Sequence, residues 1–402
     1  MTVDYQVLLT PLDETGRAYG TRVDVTKDVD ISDYLKKSGI TPIRRELDRG
    51  DYDIGVFNYN SISFNLNNST GKFNEPRLDS RSMFPSYRDR AIAEIYFIDS
   101  DSNKTISYEG LLTEKATRQN LSDDSIKFTF LGLESIFQQS VVNSGTIING
   151  VTISQAFRSI LDIPLITSIL NFNVSNINPE LDLVIDNGAT FDNKTVKQAV
   201  DLLLVASNSI LIIDESRNIV VKSRTANSNT PHSLYLNDIQ KRDNILSADN
   251  YNSGLQRMFN VLIIDGESFK NSGSIAVYTE RSKNLSLGFI TSTSKKQQIA
   301  NAIFSEFALP KDELIVGVEK KIATSFEILD KITVSYNKII RSHRDNPVPL
   351  YEIDEYGKSY YPNEIGGFRI DGRRVFKIIG IYETPATFNI AFKLRDTGEL
   401  TA

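Results

Sequence analysis

The segment Ser61–Asn67 reads S-I-S-F-N-L-N, and its strict alternation of apolar and polar residues constrains the fold more than any other feature of the chain. Ile62, Phe64 and Leu66 recur with a period of two, which predicts a strand with one buried face and one solvated face. The strand ends in N-N-S-T-G, a cluster of turn-forming residues. Because the segment holds no nucleophile, metal ligand or phosphate-binding loop, we interpret it as structural scaffold.

The size and charge of the chain limit what it can be. Its 402 residues are too many for one ordinary core, which predicts two to four domains. Hydrophobic residues make up 40% and charged residues 24%, a normal globular balance. The 45 lysines and arginines stand against 51 acidic residues, a net charge of −6, which argues against binding of a nucleic-acid backbone.

Residue usage excludes several kinds of site. The absence of cysteine excludes disulfides, thiolate metal sites and cysteine nucleophiles. With only His232 and His343, histidine clusters and relays are nearly excluded too. No basic signal-peptide region begins the chain, and no apolar run approaches the roughly 18–20 residues that span a bilayer. We therefore expect a soluble protein, made and assembled in a cytoplasm, with no cofactor.

The pattern of strands and helices predicts a β-rich α+β fold, with two barrel-like β modules and a small helix-containing insert between them. The predicted parts are a tube-like N-terminal β-barrel domain (1–145), a small α/β insert domain (146–225) and a second β-barrel domain (226–402). The second β-barrel domain includes a helix over 294–309 and a long polar loop over 341–367.

Capping-box spacing, a Ser or Thr followed three residues later by Gln, marks the start of three predicted helices. The pairs are Thr152 with Gln155, Thr195 with Gln198, and Ser294 with Gln297. Two shorter elements are also predicted, a helix over Ser32–Ser38 and a strand over Ser274–Tyr278.

One segment partly matches a calcium-binding loop. Asp99, Asp101 and Asn103 occupy the first three ligand positions, but Lys104 stands where the loop needs glycine, and Gly110 where it needs the bidentate acid. The flanking segments read as strands rather than helices. We interpret the segment as a polar hairpin turn.

Two other clusters offer candidate catalytic groups. Glu46, Asp48, Asp51 and Asp53 could supply the paired carboxylates of a glycosidase, but three interspersed arginines favour a self-paired surface network. Ser342, His343 and Asp345 are sequence neighbours, whereas a working triad is assembled by spatial convergence, so a solvated loop is the better interpretation. We therefore predict no catalytic residue and no metal ligand.

Tyrosines cluster in the polar loop over 341–367. Most of the aromatic residues fall at alternating strand positions and predict core packing. Four tyrosines of this loop do not fit that pattern and could anchor a protein interface: Tyr351, Tyr356, Tyr360 and Tyr361.

The order of these parts resembles a known family, the baseplate-hub or tail-tip hub proteins of tailed bacteriophages and related phage-derived injection machines. The resemblance covers most of the chain and is carried by the strand-and-turn segment 61–73, Phe84-Pro85, Arg88–Arg90, Ala91–Ile95, Tyr108–Leu111, Ile126–Gly132, Phe191–Val196, Ile210–Asp214, Leu329–Val334, Phe376–Ile381 and Phe388–Phe392.

The resemblance implies a structural virion protein with no enzymatic activity. Such hubs are usually trimers whose six β modules adapt a sixfold tail tube to a threefold spike or fibre. The implied partners are sister copies, the tail tube or distal tail protein, the central spike or fibre, and the tape measure protein. DNA would pass through the channel without specific binding.

Two other functions remain open from the sequence. A β-rich carbohydrate-active protein could use Glu46 and Asp53, with the tyrosine loop as a sugar platform, although the chain has none of the tryptophans that saccharide sites usually use. A host-surface-binding module at the tail tip would instead use the loop over 341–367 for adsorption.

Overall fold

The structure is a computed structural model of the chain. The residues that it describes are 4–13, 16–18, 21–29, 43–46, 61–74, 80–84, 90–98, 102–115, 125–172, 177–225, 232–236, 245–319, 326–337, 369–370, 374–383 and 389–400. These residues form two large sheets and a mixed helical and β region, hereafter the central core, made of residues 133–224 and 253–308.

The first sheet has six antiparallel strands in the order β2-β1-β5-β6-β7-β4. Ile62 and Leu66 are fully buried and Phe64 nearly so, as the period-two pattern predicts, and the Phe64 ring stacks on that of Phe130 with centroids 5.1 Å apart. The strands are β1 (Asp4–Pro11), β2 (Val23–Asp24), β4 (Ser61–Asn67), β5 (Ala91–Ile98), β6 (Lys104–Lys115) and β7 (Ser125–Gly132).

The second large sheet has the order β11-β17-β19-β20-β16-β12, with β18 added to β17 and β3 added to β19. Its pairs are antiparallel apart from the parallel pair β11–β17. The strands are β3 (Ile43–Glu46), β11 (His232–Leu236), β12 (Ile245–Asn252), β16 (Glu313–Glu319), β17 (Lys331–Asn337), β18 (Arg369–Ile370), β19 (Arg374–Glu383) and β20 (Asn389–Leu400).

The central core contains two three-stranded sheets, β8-β10-β9 and β14-β13-β15. The strands are β8 (Asn171–Phe172), β9 (Ser209–Ile213), β10 (Asn218–Ser223), β13 (Val261–Ile264), β14 (Glu267–Lys270) and β15 (Ser282–Leu285). The helices are α1 (Ile136–Gln139), α2 (Ile153–Leu161), α3 (Pro164–Thr167), α4 (Val196–Ala206), α5 (Ser272–Tyr278) and α6 (Thr293–Phe307), with 3-10 turns at Leu133–Ser135, Pro179–Leu181 and Gly188–Phe191. None of the described helices is both long and apolar enough to cross a lipid bilayer.

One hydrophobic cluster joins both parts of the central core and reaches the first sheet. It includes Phe191 and Phe289, whose ring centroids lie 4.8 Å apart, and the apolar face of α6. Leu12, Ile92 and Leu111 of the first β module belong to the same cluster. The buried residues of α6 therefore pack with the central core, although the helix was predicted inside the second β-barrel domain; the boundaries 1–145, 146–225 and 226–402 stay a prediction.

The fold class is confirmed: the chain is β-rich, and its two large sheets curl as half-barrels. Two of the three predicted capping boxes are present. Thr152 Oγ1 accepts the backbone N–H of Gln155 at 3.3 Å, and Thr195 Oγ1 accepts that of Gln198 at 3.2 Å. Each glutamine returns a bond through its side-chain oxygen to the backbone N–H of the threonine.

The third capping box, Ser294 with Gln297, is wrong. Helix α6 begins one residue earlier, and its cap residue, Ser292, makes no side-chain cap bond. The Ser294 hydroxyl instead lies 2.9 Å from the Ser292 hydroxyl. A capping box requires its Ser or Thr to precede the helix, and here the serine lies within the first turn.

The predicted strand over Ser274–Tyr278 is also wrong, because these residues belong to helix α5. Asn271 caps the helix by accepting the Ser274 backbone N–H at 3.0 Å, and the Ser274 hydroxyl donates to the carbonyl of Ala308. Capping and tertiary contact therefore override a sequence that fits a strand. The predicted helix over Ser32–Ser38 lies outside the described residues.

Candidate functional site: two ionic joints on the central core

Most residues singled out from the sequence lie outside the described part of the chain, so their proposed roles stay predictions. They are Tyr351, Tyr356, Tyr360 and Tyr361, the acids Asp48, Asp51 and Asp53, the calcium-loop candidates Asp99 and Asp101, and Ser342, His343 and Asp345. Glu46 is the last residue of β3, for which the backbone pairing is described. Among the described residues, no group of three or more His, Cys, Asp or Glu side chains could hold a metal ion.

The structure instead brings together two sets of charged residues that the sequence did not single out. One lies between the first sheet and the central core, the other between the central core and the second sheet. We define the first joint as Arg22, Glu94, Glu109 and Arg217, and the second joint as Arg224, Arg257, Glu306, Glu313, Lys377 and Arg395.

The first joint is built on two acids that face each other across neighbouring strands. Glu94 of β5 pairs in register with Glu109 of β6. Arg217 donates from Nη2 to Glu94 Oε1 at 2.6 Å and from Nε to Glu109 Oε1 at 3.0 Å. Arg22 also donates to Glu94 Oε1, at 2.6 Å. Two guanidinium groups thus offset the repulsion between two carboxylates on one sheet face.

A tight turn between β9 and β10 places Arg217. Asp214 holds the turn, since its Oδ1 accepts the backbone N–H groups of Ser216 and Asn218 at 2.9 and 2.8 Å. Arg217 has φ +60°, a left-handed conformation that is uncommon outside glycine and asparagine. The conformation of this turn therefore directs the Arg217 side chain towards the first sheet, where it contacts Glu94 and Glu109.

Burial makes it costly to keep the two carboxylates of the first joint charged. Glu94 is 2% exposed, and its Oε2 has no hydrogen-bond partner among the described residues. Burial raises the pKa of Glu109, although the positive charge of Arg217 opposes that rise. Burial, followed by the negative charge of Glu94, raises the pKa of Tyr96. Arg217 is consequently the main compensation for two acids on a largely buried face.

The second joint centres on Glu306, near the C-terminal end of α6. Its carboxylate accepts hydrogen bonds from Arg224 Nε at 3.0 Å and from Arg395 Nη1 at 3.3 Å. Lys377 Nζ lies 3.8 Å from the same carboxylate and donates to the backbone carbonyl of Arg224 at 3.0 Å. The Phe307 ring lies 5.7 Å from the guanidinium of Arg224 and 5.3 Å from that of Arg395, within cation–π range.

A second acid extends this joint into the second sheet. Glu313 accepts from Arg395 Nε at 2.8 Å and forms an ion pair with Arg257 Nη1 at 3.4 Å. Burial alone would raise the pKa of Glu306, but Arg224, Lys377 and Arg395 together hold it well below the usual range. The carboxylate is therefore ionised at neutral pH, where it pairs with the buried cations around it.

The second joint lies where the chain passes between the central core and the second sheet. The element order has three such passages, after β10, between β12 and β13, and between α6 and β16. Arg224 follows β10 directly, Arg257 lies between β12 and β13, and Glu306 and Glu313 stand on either side of the third passage. All three passages are thus tied together by one charged network.

Neither joint has the arrangement of a catalytic site. The carboxylates of both joints accept hydrogen bonds from guanidinium groups, and a base that already accepts from such a donor is poorly placed to take a proton from a substrate. What the joints can do is fix the placement of two sheets against one core, because breaking a buried ion pair is costly. Sequence offered one local signal for them, the single acid Glu94 in the apolar run A-I-A-E-I-Y-F-I.

No family model matches the chain, and no curated protein sequence matches it. Solved structures match over nearly the whole length. A tail protein from Neisseria meningitidis MC58 shares 12% identity over 98% of this chain and 98% of that one, with a TM-score of 0.56. The 43 kDa tail protein of prophage MuSo2 from Shewanella oneidensis shares 12% identity over 99% of both chains, with a TM-score of 0.51.

A third solved structure matches over a similar extent. A prophage tail protein from Listeria monocytogenes EGD-e shares 12% identity over 96% of this chain and 94% of that one, with a TM-score of 0.50. At this level of identity the likeness establishes a shared fold. The chain therefore has the fold of phage tail proteins.

Proposed function

We propose that this chain is a structural subunit of a phage-type tail tip or baseplate, located in the virion. The observation that carries the proposal is fold similarity over essentially the full length of both chains, since the tail protein from Neisseria covers 98% of this chain and is itself 98% covered. A match of that extent involves both large sheets and the central core together. It supports a shared architecture rather than one shared module.

The finer form of the proposal is a hub: a closed ring, expected to be a trimer, that adapts a sixfold tail tube to a threefold spike or fibre. Two curled sheets in each chain would give six similar modules in three copies, which matches a sixfold partner. Heterologous contacts between copies are compatible with a closed ring. Strand β2 is the outermost strand on one side of the first sheet, and we expect it to take part in such contacts.

The two ionic joints supply what this function requires, which is a fixed angle between modules. A ring closes only if each copy presents its two β modules in the same relative position. The first joint holds the first sheet through Arg217, and the second joint holds the second sheet through Glu306. The joints are charged and directional, so they specify one placement where apolar packing alone tolerates sliding.

The proposed partners follow from this position in the tail. They are sister copies, the tail tube or distal tail protein above, the spike or fibre below, and the tape measure protein. A net charge of −6 suits a channel wall along which DNA passes without binding. In this role the protein makes and breaks no covalent bond.

Native mass spectrometry and negative-stain imaging of the purified chain test the proposal. We expect three copies in a ring with a central opening. A protein that stays monomeric at micromolar concentration and also fails to assemble when mixed with tail tubes would contradict the hub. Imaging of intact particles, with the copies of this chain counted per tail, separates the hub from a peripheral tail component.

A further inference from the structure

Two small groups of exposed apolar side chains lie on or beside the central core. The first, hereafter the 277 patch, consists of Leu255, Val277 and Leu309, which are 38%, 69% and 55% exposed. The second, hereafter the 148 patch, consists of Ile148 and Val184, which are 67% and 41% exposed. None of these side chains belongs to a hydrophobic cluster of the described residues. Exposed apolar side chains that lie together are a feature of binding surfaces.

The segments that carry Leu255 and Leu309 touch each other. A Cβ at Gly254 would lie 2.0 Å from the Lys311 carbonyl oxygen, so the two backbones are in direct contact. Leu255 follows Gly254, and Leu309 comes two residues before Lys311. The two leucines therefore lie beside one backbone contact.

Helix α5 brings Val277 to the same place. The Ser274 hydroxyl donates to the carbonyl of Ala308, the residue before Leu309. Val277 follows Ser274 by three positions, and residues at that spacing are neighbours on a helix surface. The fully buried Asn260 fastens the helix, since its side-chain amide donates to the Ser274 hydroxyl at 3.2 Å. Hydrogen bonds to the core thus hold the 277 patch in place.

Two cations border the 277 patch. Arg281 donates from Nη1 to the backbone carbonyl of Leu255, and Lys311 Nζ donates to the carbonyl of Ser305 at 3.4 Å. Neither cation forms an ion pair with another described residue. Burial lowers the pKa of Lys311 more than the nearby acids raise it. The border of this patch therefore carries positive charge that the described part of the chain does not neutralise.

The 148 patch is built on two paired segments. The Gly150 N–H donates to the carbonyl of Ile185 at 2.9 Å, and Thr152 forms an isolated bridge with Val184. Ile148 begins the turn that leads into this pairing, because its carbonyl accepts the N–H three residues later. Backbone hydrogen bonds therefore hold the two exposed side chains on neighbouring segments.

Acids border the 148 patch. Asp182 and Asp186 lie two positions before and after Val184, and residues two apart in an extended segment share one side. Asp186 pairs with Lys295, whereas neither Asp182 nor the exposed Glu180 forms an ion pair within the described residues. Three acids and one lysine leave this border negatively charged.

We propose that the 277 patch of one copy of this chain docks on the 148 patch of the next copy. Each patch has an apolar centre and a charged border, the anatomy of a protein interface, and the two borders have opposite signs. Either patch docked on itself would bring like charges together. Because the two patches use different residues, the contact is heterologous and repeats around an axis, so this inference rests on the proposed ring.

Charged substitutions at the two most exposed residues of the patches test the contact in the full-length chain. Val277→Glu places an acid against the acidic border of the 148 patch, and Ile148→Lys places a cation against the basic border of the 277 patch. We expect each to weaken ring formation by about tenfold or more. Native mass spectrometry over a concentration series measures this change, with tail tubes added if the chain alone stays monomeric.

The double variant Val277→Glu/Ile148→Lys brings the two new charges together across the contact and should recover most of the loss. The matched control is Leu400→Glu, which adds an acid at a side chain of β20 that is 69% exposed and belongs to neither patch. This control should assemble as the wild type does. The midpoint of thermal unfolding should be unchanged in all four variants, because the replaced side chains are exposed.

Three outcomes would overturn the contact. Rings that form equally well in the wild type and in both single variants remove the contact and leave the hub in place. A loss in only one single variant, or no recovery in the double variant, shows that the patches bind something other than each other. A wild-type chain that stays monomeric alone and with tail tubes refutes the hub itself, and the contact with it.

Discussion

Glu94 and Glu109 lie directly opposite each other on adjacent strands of the first sheet, and the guanidinium of Arg217 binds one oxygen of each carboxylate. Like charges that face each other across a sheet are destabilising. The relationship is tolerated because an arginine from the central core lies between them. The two mutually repulsive acids of the first sheet thus bind an arginine of the central core and connect the sheet to that core.

Replacement of Arg217 should loosen this attachment. In Arg217→Met, both acids lose a charge-assisted hydrogen bond, and we expect a loss of about 2–3 kcal/mol in the free energy of unfolding. Arg22 still pairs with Glu94, which keeps the loss below that of a fully orphaned pair. The midpoint of thermal unfolding, followed by calorimetry, measures the change.

Two further variants test the cause of that loss. Adding Glu109→Gln to Arg217→Met removes the repulsion, so the double variant should be more stable than the single one. Lys222→Ala breaks an exposed ion pair with Glu327 and should cost under about 1 kcal/mol. Equal losses for Arg217→Met and Lys222→Ala would show that the first joint contributes no more than a surface ion pair.

The second joint should make the protein sensitive to acid. The folded-state pKa of Glu306 lies below the usual value of 4.5, because Arg224, Lys377 and Arg395 outweigh the effect of burial. A lowered pKa contributes stability that is fully present above the usual value and is lost as the pH falls through the folded value. We therefore expect the contribution of Glu306 to keep the unfolding midpoint constant down to about pH 5 and to lower it as the pH falls further.

Variants at two glutamates separate this effect from general acid sensitivity. Glu306→Gln should be less stable at pH 7, by about 3–5 kcal/mol, and should show a flatter pH dependence. Glu280→Gln alters an exposed pair with Lys270 and should follow the wild-type curve. If Glu306→Gln kept the full wild-type slope, the acid sensitivity would originate at other carboxylates.

Local chemistry made part of this fold predictable. The period-two pattern at Ile62, Phe64 and Leu66 predicted the strand and its buried face, and the capping boxes at Thr152 and Thr195 predicted two helix starts. Each signal is contained within a few residues of chain. Where the local signal was ambiguous, as at Ser274–Tyr278, the helix depended on tertiary contacts.

The joints could not be predicted, because their partners are far apart in sequence. Arg217 and Glu94 are separated by 123 positions, and Arg395 and Glu306 by 89. Nothing in the composition near either residue identifies the other. The same applies to β3, whose place in the second sheet depends on an open edge more than 330 positions away.

Gly254 lies in the segment between β12 and β13, and its backbone packs directly against that of Lys311, in the segment between α6 and β16. Both segments connect the central core to the second sheet. Gly254 has φ +68°, and a Cβ there would lie 2.0 Å from the Lys311 carbonyl oxygen. Gly254→Ala should therefore be strongly destabilising, since the backbone cannot move aside as a side chain can. Gly266→Ala is the control, with φ +86° and nothing within 4 Å, and should cost only the left-handed strain of about 1–2 kcal/mol.

Thermal unfolding of the two alanine variants gives the comparison. We expect a clearly larger fall in the unfolding midpoint for Gly254→Ala than for Gly266→Ala, because only the former adds a steric clash to the backbone strain. Similar midpoints would mean that the passages at 252–261 and 307–313 are not tightly packed against each other.

The helix caps provide the last test, since two spacings that look alike in sequence differ in structure. Thr195→Ala removes the side chain that accepts the Gln198 N–H, and its loss should cost about 1 kcal/mol. Ser294→Ala removes a hydroxyl already inside the first turn of α6, which bonds no backbone N–H of the helix, and should change stability by less than about 0.5 kcal/mol. Urea unfolding monitored by circular dichroism measures both. A loss at Ser294 as large as that at Thr195 would show that the third capping box forms in solution and that α6 begins later than the structure places it.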